Sequence, residues 1–185
     1  MLLLGAGPAD RGVLLALYAA DEPGLALAAM AFTFLGDWST VVAVALAATG
    51  WLLFQRDYRS ALTLLAATFL GRGLVILQKL YFARLRPEEE MRMVDVHSLS
   101  FPSGHAANSM ITYLSIALLL APPDKRTAAA AAAIGLSLLI GCSRPMLGVH
   151  WPSDVVAGWA FGLLWVMLVL GVAQTLKRNS STSPS

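Results

Sequence analysis

Seven residues whose side chains suit phosphate chemistry lie in two stretches of this 185-residue sequence. They are Lys79, Arg86, Ser103, His105, Arg144, His150 and Asp154. Three cations can neutralise an anion that carries several negative oxygens, and the planar fork of arginine matches phosphate well. Two histidines can supply a nucleophile and an acid near neutral pH, and one carboxylate can orient a histidine. These residue types together predict phosphate chemistry.

The local spacing suggests how some of these residues cooperate. Asp154 follows His150 by four residues, so both side chains share one helix face if the stretch is helical, and the carboxylate can hold an imidazole N–H. Ser103 and Gly104 indicate the start of a helix, with Ser103 as N-cap and Gly104 permitting close approach of a ligand. Because free amides at a helix N-terminus bind anions, this start is a predicted anion-binding element.

The composition places this chemistry in a membrane. Hydrophobic residues make up 57% of the chain and charged residues only 13%, against roughly 25% charged residues in an ordinary soluble domain. This excludes a soluble globule and a disordered chain, and a formal net charge of +2 is too small to indicate nucleic-acid binding. The single cysteine, Cys142, excludes an internal disulfide and a multi-cysteine metal site. The expected partner is a phospholipid bilayer.

Five apolar segments are long enough to cross a bilayer core, which needs roughly 17 to 25 helical residues. They are residues 38–54, 60–78, 106–123, 127–143 and 155–176. We therefore predict an all-α integral membrane helical bundle with five transmembrane helices. Asp21, Glu22 and Pro23 interrupt the apolar pattern of residues 1–37, which predicts two short interfacial helices, with a short, tilted sixth span as the alternative.

This pattern predicts three segments: interfacial, amphipathic helices in residues 1–37, a transmembrane domain in residues 38–176, and a disordered cytoplasmic tail in residues 177–185. No basic stretch precedes the first apolar residues, so we expect no cleaved signal peptide. Basic residues at positions 56 and 59, 125 and 126, and 177 and 178 fall on one side by parity, and that side should be cytoplasmic. We expect a bacterial inner (plasma) membrane protein whose phosphate-chemistry residues share the extracytoplasmic face.

Three motifs built from these residues resemble the signature of the type 2 phosphatidic acid phosphatase superfamily, the integral-membrane lipid phosphate phosphatases. The motifs are Lys79, six residues and Arg86-Pro87; Pro102-Ser103-Gly104-His105; and Ser143-Arg144, five residues, His150, three residues and Asp154. Their order and internal spacings agree with the family, and the resemblance extends over residues 37–176. One motif alone is weak, whereas three in order on one predicted face are specific.

The resemblance implies a role for each residue. His150 attacks phosphorus to form a phosphohistidine, Asp154 orients and activates it, and His105 protonates the leaving oxygen and then activates water. The phosphoryl oxygens are bound by Lys79, Arg86, Ser103, Gly104 and Arg144. No metal and no other cofactor is required. The implied substrate is a lipid phosphate or lipid pyrophosphate, such as undecaprenyl pyrophosphate, phosphatidylglycerol phosphate, phosphatidic acid or a lipid A phosphate.

Three alternatives stay open on the sequence. The same scaffold can transfer the phosphoryl group to an acceptor lipid instead of water. A non-enzymatic carrier can bind an anion or lipid through the cations, although it does not need His150 with Asp154. A vanadium-dependent haloperoxidase resembles the same constellation, but those enzymes are soluble.

Three polar residues outside the motifs have predicted structural roles. We expect His97 to be a solvent-exposed loop residue. Arg72 lies seven residues before Lys79 on the same helix face, and we expect a structural ion pair or snorkelling in preference to substrate contact. Asn108 is expected either to support the site or to form a hydrogen bond between helices.

Overall fold

Seven α-helices and one short 3-10 turn, Glu89–Met91, make up the secondary structure of residues 7–181, the part of the chain that the computed structural model describes. The helices are α1 (Pro8–Leu17), α2 (Pro23–Gly36), α3 (Trp38–Phe54), α4 (Tyr58–Phe82), α5 (Gly104–Leu120), α6 (Arg126–Met146) and α7 (Pro152–Ser181). No strand occurs in this range, so the all-α fold is confirmed for it.

Each of the five predicted membrane segments corresponds to one helix, α3 to α7. Of these, α4, α6 and α7 are long and apolar enough to cross a membrane alone, whereas α5 is apolar but has 17 residues. Helices α2 and α3 meet at Asp37 with a bend of 50° and satisfy the length and hydropathy requirement only as a pair. By length and composition, residues 7–181 therefore contain three helices that can cross a membrane, or four spans if the bent pair crosses as one, and the predicted count of five is not confirmed.

The two ends of the chain differ in part from the prediction. Residues 1–37 contribute the two expected short helices, α1 and α2, but α2 leads directly into α3 through the bend. Helix α7 continues to Ser181, so the described part of the predicted tail is helical. Lys177 and Arg178 favour this extension because cations stabilise a helix C-terminus. The expectation of no cleaved signal peptide falls on residues 1–6, and the end of the predicted disordered tail falls on residues 182–185; both lie outside the described range.

Helix α5 lies at the centre of the bundle and packs against α2, α3, α4, α6 and α7. Two glycines of α7 allow the closest of these approaches. A Cβ atom on Gly158 would lie 2.7 Å from the carbonyl oxygen of Ser103, and one on Gly162 would lie 2.8 Å from the Cβ atom of Met110. Small residues at helix interfaces let backbones approach in this way. The start of α5 is thereby fixed against the start of α7.

The loops between the helices lie at two opposite ends of the bundle. At one end, the segment between α4 and α5 touches the loop between α6 and α7, where the Met93 N–H donates to the carbonyl of Leu147 at 3.0 Å. At the opposite end, Arg59, Arg126 and Lys177 line a common pocket. The three basic clusters thus share one end of the bundle, as the parity of the spans predicted.

Candidate active site

A buried histidine and aspartate lie between α6 and the first turn of α7. His150 is 1% exposed and Asp154 is fully buried. The Nδ1 atom of His150 lies 3.2 Å from Oδ2 of Asp154 and 3.3 Å from Oγ of Ser100. Within the described residues Nε2 of His150 has no hydrogen-bond partner, and the residue lines a cavity of about 400 Å³. The carboxylate therefore orients the ring through one nitrogen and leaves the other for the cavity.

The local backbone explains this placement. Gly148 adopts a φ of +68°, a left-handed conformation that favours glycine, and the carbonyl of Met91 occupies the space of a Cβ atom. His150 precedes α7, so the predicted shared helix face does not produce its contact with Asp154. Instead, the carboxylate of Asp154 turns back to accept the N–H of Trp151 at 3.1 Å, which closes the start of α7 and brings Oδ2 to His150.

An arginine that the sequence analysis missed holds the other oxygen of Asp154. Arg84 is 3% exposed, and its Nη1 atom donates to Oδ1 of Asp154 at 2.5 Å. Its Nη2 atom donates to Asp10 of α1 at 2.7 Å, and Asp10 also accepts the N–H of Ser153 at 2.9 Å. The only sequence signal for Arg84 is its position two residues before Arg86. Asp10 gave no signal, because its partners are far away in the sequence.

The charges of this network follow from its contacts. Burial alone would raise the pKa of Asp10, but hydrogen bonds from Ser153 and Arg84 outweigh burial and hold the pKa below its usual range. Burial and the nearby cations Arg86 and Arg144 hold the pKa of His150 well below its usual range. His150 is therefore a neutral imidazole at neutral pH, which is the form that can act as a nucleophile.

His105 lies in the first turn of α5 and faces a second carboxylate. Its Nε2 atom is 2.9 Å from Oδ1 of Asp37, the residue at the bend between α2 and α3. The bend therefore delivers a carboxylate that orients His105, a role that the sequence analysis did not assign to Asp37. His105 and His150 line the same cavity, so an anion between them can meet a neutral imidazole on one side and a carboxylate-paired histidine on the other.

Loop carbonyls hold two of the three predicted cations around this cavity, and a side-chain hydroxyl of α2 holds the third. Lys79 donates to the carbonyls of Leu99 and Ser100, and Arg86 donates to that of Val149 at 2.6 Å. Arg144 donates to Oγ1 of Thr33 in α2. Burial lowers the pKa of Arg86 to about 10, so the guanidinium still carries its charge at neutral pH. All three cations line the cavity and give it a positive field.

Several buried polar atoms beside the cations have no hydrogen-bond partner among the described residues. They include Oγ of Ser103, Nε of Arg144 and Oδ1 of Asn108. Ser103 is the N-cap residue by position, yet its hydroxyl does not cap the helix. The first amides of α5 also lack intrahelical acceptors. Since buried polar atoms are normally satisfied, the Ser103 hydroxyl, the Nε–H of Arg144 and the free amides of α5 suit an anion with several oxygens.

The cavity brings the predicted site residues together. Its lining includes Lys79, Arg86, Gly104, His105, Arg144 and His150, with Ser103 and Asp154 directly behind. Arg72, His97 and Asn108 line it as well. His97 is exposed, as expected, and lies at the cavity rim. Of the two alternatives expected for Arg72, the ion pair is not found among the described residues, where the guanidinium packs on the ring of Trp38 at 5.0 Å from the centroid; snorkelling stays a prediction.

This fold and site define an integral membrane helical bundle with a cationic cavity and a histidine–aspartate pair. The family model of the PAP2 superfamily matches residues 58–178. The chain therefore belongs to the PAP2 superfamily, and the resemblance drawn from the three motifs is confirmed.

Individual relatives agree with this assignment. The chain is 30% identical to phosphatidylglycerophosphatase B of Bacillus subtilis over 92% of its own length and 86% of the relative. It is 36% identical to decaprenylphosphoryl-5-phosphoribose phosphatase of Mycolicibacterium smegmatis over 80% and 81% of the two chains. The crystal structure of a transmembrane PAP2 type phosphatidylglycerolphosphate phosphatase from Bacillus subtilis superposes with a TM-score of 0.84 at 30% identity, covering 92% of this chain and 87% of that one.

Proposed function

We propose that this protein hydrolyses a lipid phosphate or lipid pyrophosphate through a phosphohistidine on His150. The observation that carries the proposal is the buried pair of His150 and Asp154 beside the three cations, 3.2 Å apart between Nδ1 and Oδ2. A carrier needs the cations to bind an anion but has no use for an oriented nucleophile. The relatives named above are phosphatases of lipids, which supports the same substrate class here.

The first chemical step follows from the positions of the two histidines. Nε2 of His150 attacks phosphorus, the bond from phosphorus to the leaving oxygen breaks with its electron pair, and His105 donates a proton to that oxygen. Asp154 keeps the proton on Nδ1 and stabilises the positive charge that develops on the ring. The developing charge on the phosphoryl oxygens is met by Lys79, Arg86 and Arg144.

The second step releases phosphate. His105, now neutral and held by Asp37, takes a proton from a water molecule whose oxygen attacks phosphorus. The bond between phosphorus and Nε2 of His150 breaks, and its electron pair returns to the imidazole. Because fixed cations supply the charge stabilisation that a metal ion supplies in many phosphatases, we propose that no metal takes part. An acceptor lipid in place of water would turn the same step into phosphotransfer.

The depth of the site predicts that the substrate enters sideways from the bilayer. Lys79 lies in the last turn of α4, His105 in the first turn of α5, and His150 just before α7. Phosphorus should therefore rest near the headgroup level while the lipid chains stay in the membrane. Extracting the chains into water would cost about 0.8 kcal/mol per methylene group.

We expect kcat/KM for a long-chain lipid phosphate to exceed that for a short, soluble analogue with the same head by at least about tenfold, since chain anchoring positions phosphorus for attack. Phosphate release from purified protein measures this, with phosphatidic acid compared with glycerol phosphate at matched detergent-surface concentration. Release from no lipid phosphate or pyrophosphate in a panel would contradict the proposed function. Equal efficiency for the two matched compounds would contradict sideways entry alone.

We further propose that the site faces the extracytoplasmic side of an inner (plasma) membrane, because the basic clusters share the opposite end. In a background that replaces Cys142 with alanine, a cysteine at Glu89 should react with an impermeant maleimide added to intact cells. A cysteine at Asp124 should react only after permeabilisation. The reverse labelling would place the chemistry on the cytoplasmic side.

A further inference from the structure

Arg72 is a charged residue within α4 that no motif explains. It is half-buried, and within the described residues it has neither an acidic partner nor a hydrogen bond. A charge inside a spanning helix is costly unless it meets a partner or a polar cavity, and such residues mark ligand pathways. Arg72 lines the same cavity as His105 and His150. Its charge is therefore available to an anion in that cavity.

The surroundings of Arg72 fix the position of its guanidinium. The centre of this group lies 5.0 Å from the ring of Trp38, and Nη1 lies 3.2 Å from the position of a Cβ atom on Gly104. Nδ2 of Asn108 lies 3.7 Å and Cε of Lys79 3.9 Å from the same position. A Cβ atom on Gly104 would force the guanidinium to shift by a few tenths of an ångström. Arg72 and Asn108 thus converge beside the helix start that is predicted to bind anions.

Asn108 adds an independent sign of a ligand. The residue is 3% exposed, lines the cavity, and its Oδ1 atom has no hydrogen-bond partner among the described residues. Because the oxygen and nitrogen of a side-chain amide are interchangeable by a flip, Asn108 can present N–H groups to an anion. A cation and a buried amide side by side are suited to the oxygens of a phosphate.

The position of this pair relative to the two histidines decides which phosphate it meets. Trp38, which supports Arg72, directly follows Asp37, the partner of His105. In the proposed mechanism His105 protonates the leaving oxygen, and the adjacency of Trp38 to Asp37 favours the leaving-group side for Arg72 and Asn108. The transferred phosphate has its own cations in Lys79, Arg86 and Arg144. A simple alcohol leaving group would give Arg72 no negative charge to bind.

We propose, as an extension of the proposed function, that Arg72 and Asn108 bind the second phosphate of a lipid diphosphate, which makes Arg72 a specificity-determining residue. His150 attacks the terminal phosphorus, and the bond from that phosphorus to the bridging oxygen breaks. The electron pair stays on the bridging oxygen, which receives a proton from His105 and leaves as part of a lipid monophosphate. Arg72 neutralises this leaving phosphate, so its contribution is largest where the leaving group carries that charge.

The test compares Arg72→Gln with the unchanged, full-length protein on matched substrate pairs. Farnesyl diphosphate is paired with farnesyl phosphate, and phosphatidylglycerol phosphate with phosphatidic acid of the same acyl chains. We expect Arg72→Gln to lower kcat/KM for the diphosphate by about 10- to 100-fold, the range for a lost hydrogen bond to a charged group. The loss on farnesyl phosphate should stay below about threefold. Arg72→Lys should fall between, and Lys125→Gln, at an exposed position at the opposite end, should match the unchanged protein.

Three results would overturn the proposal. Equal losses on farnesyl diphosphate and farnesyl phosphate would mean that Arg72 acts on the transferred phosphate or on the fold. No loss on either farnesyl substrate would mean that Arg72 does not contribute to turnover. A loss on phosphatidylglycerol phosphate alone would mean that Arg72 and Asn108 bind the phosphodiester group of that lipid, which lies farther from the transferred phosphate, and not the second phosphate of a diphosphate.

A binding measurement separates this proposal from the proposed function. If the unchanged protein releases phosphate from no lipid, the proposed function fails. Calorimetry with inorganic pyrophosphate and orthophosphate then still decides the role of Arg72. Arg72→Gln should weaken pyrophosphate binding by about 10- to 100-fold and orthophosphate binding by less than about threefold. Equal weakening of both, or of neither, would overturn the second-phosphate site.

Discussion

Replacing His150 with alanine is expected to lower kcat by more than about 10⁴-fold, beyond the 10²- to 10⁴-fold that general acid–base help supplies. The reason is that Nε2 of His150 is the atom that forms the bond to phosphorus in the proposed first step. Asp154 and Ser100 hold Nδ1 of the same ring, which fixes the position of Nε2. The alanine variant has no nitrogen at this position. Phosphate release from a long-chain substrate measures the loss.

The matched variant Asp154→Asn tests the orienting role. It should cost about 10²- to 10⁴-fold in kcat, because the amide holds the imidazole less well and does not stabilise its positive charge. Both variants should still bind vanadate or phosphate weakly, since Lys79, Arg86 and Arg144 remain. Binding without turnover separates a lost nucleophile from a lost fold. If His150→Ala kept more than about a hundredth of the activity, His150 would not be the nucleophile.

Replacing Arg84 with glutamine is expected to lower stability and turnover together. Arg84 bridges Asp154 and Asp10 at 2.5 and 2.7 Å, and breaking a buried pair by removing one partner costs about 3 to 5 kcal/mol because it leaves an uncompensated buried charge. The carboxylate of Asp154 also loses the donor to its Oδ1 atom and keeps only the contacts of Oδ2, so kcat should fall by about 10- to 100-fold. Unfolding of the purified protein in detergent and phosphate release measure the two effects.

Two comparisons show whether Arg84 acts through Asp154. In an Asp154→Asn background, Arg84→Gln should lower kcat only slightly further, because the carboxylate that it positions is already gone. Asp10→Asn removes the charge that Arg84 meets in α1 and leaves the contact between Arg84 and Asp154 in place. It should lower stability less than Arg84→Gln and leave kcat within about threefold. A full additional loss of kcat in the Asp154→Asn background would instead give Arg84 a role independent of Asp154.

The helices were predictable because their limits are local. The five apolar runs end at charged or proline-containing segments, and α3 to α7 follow them within a few residues. The position of the break between α2 and α3 was predictable, because the first apolar run begins after Asp37 at residue 38, but the role of Asp37 was not. This carboxylate sits inside the apolar stretch because it pairs with His105, 68 residues away. Only the packing of α5 against the bend reveals that reason.

The candidate site likewise contains residues that could be predicted from local sequence and residues that could not. The eight candidate site residues within the three motifs could be found from residue type and spacing, and the structure places six of them in the lining of one cavity, with Ser103 and Asp154 directly behind. Ser100, Arg84 and Asp10 could not be found in this way. Asp10 reaches the site through Ser153, 143 residues later in the chain, and no local pattern encodes such a pair. Residues that support a reacting group are defined by tertiary contacts, whereas reacting groups are restricted by their chemistry.

The central claim is that phosphorus becomes bonded to His150 during turnover, and trapping that intermediate tests it most directly. Purified protein is mixed with a long-chain lipid substrate that carries a ³²P label on its terminal phosphate, and the reaction is quenched rapidly in alkali. We predict a label that remains on the protein in alkali, is released by acid as a phosphorus–nitrogen bond requires, and maps to the peptide containing His150. The label should be absent from His150→Ala. Phosphate release by the unchanged protein without any such label, or with the label on another residue, would contradict the account.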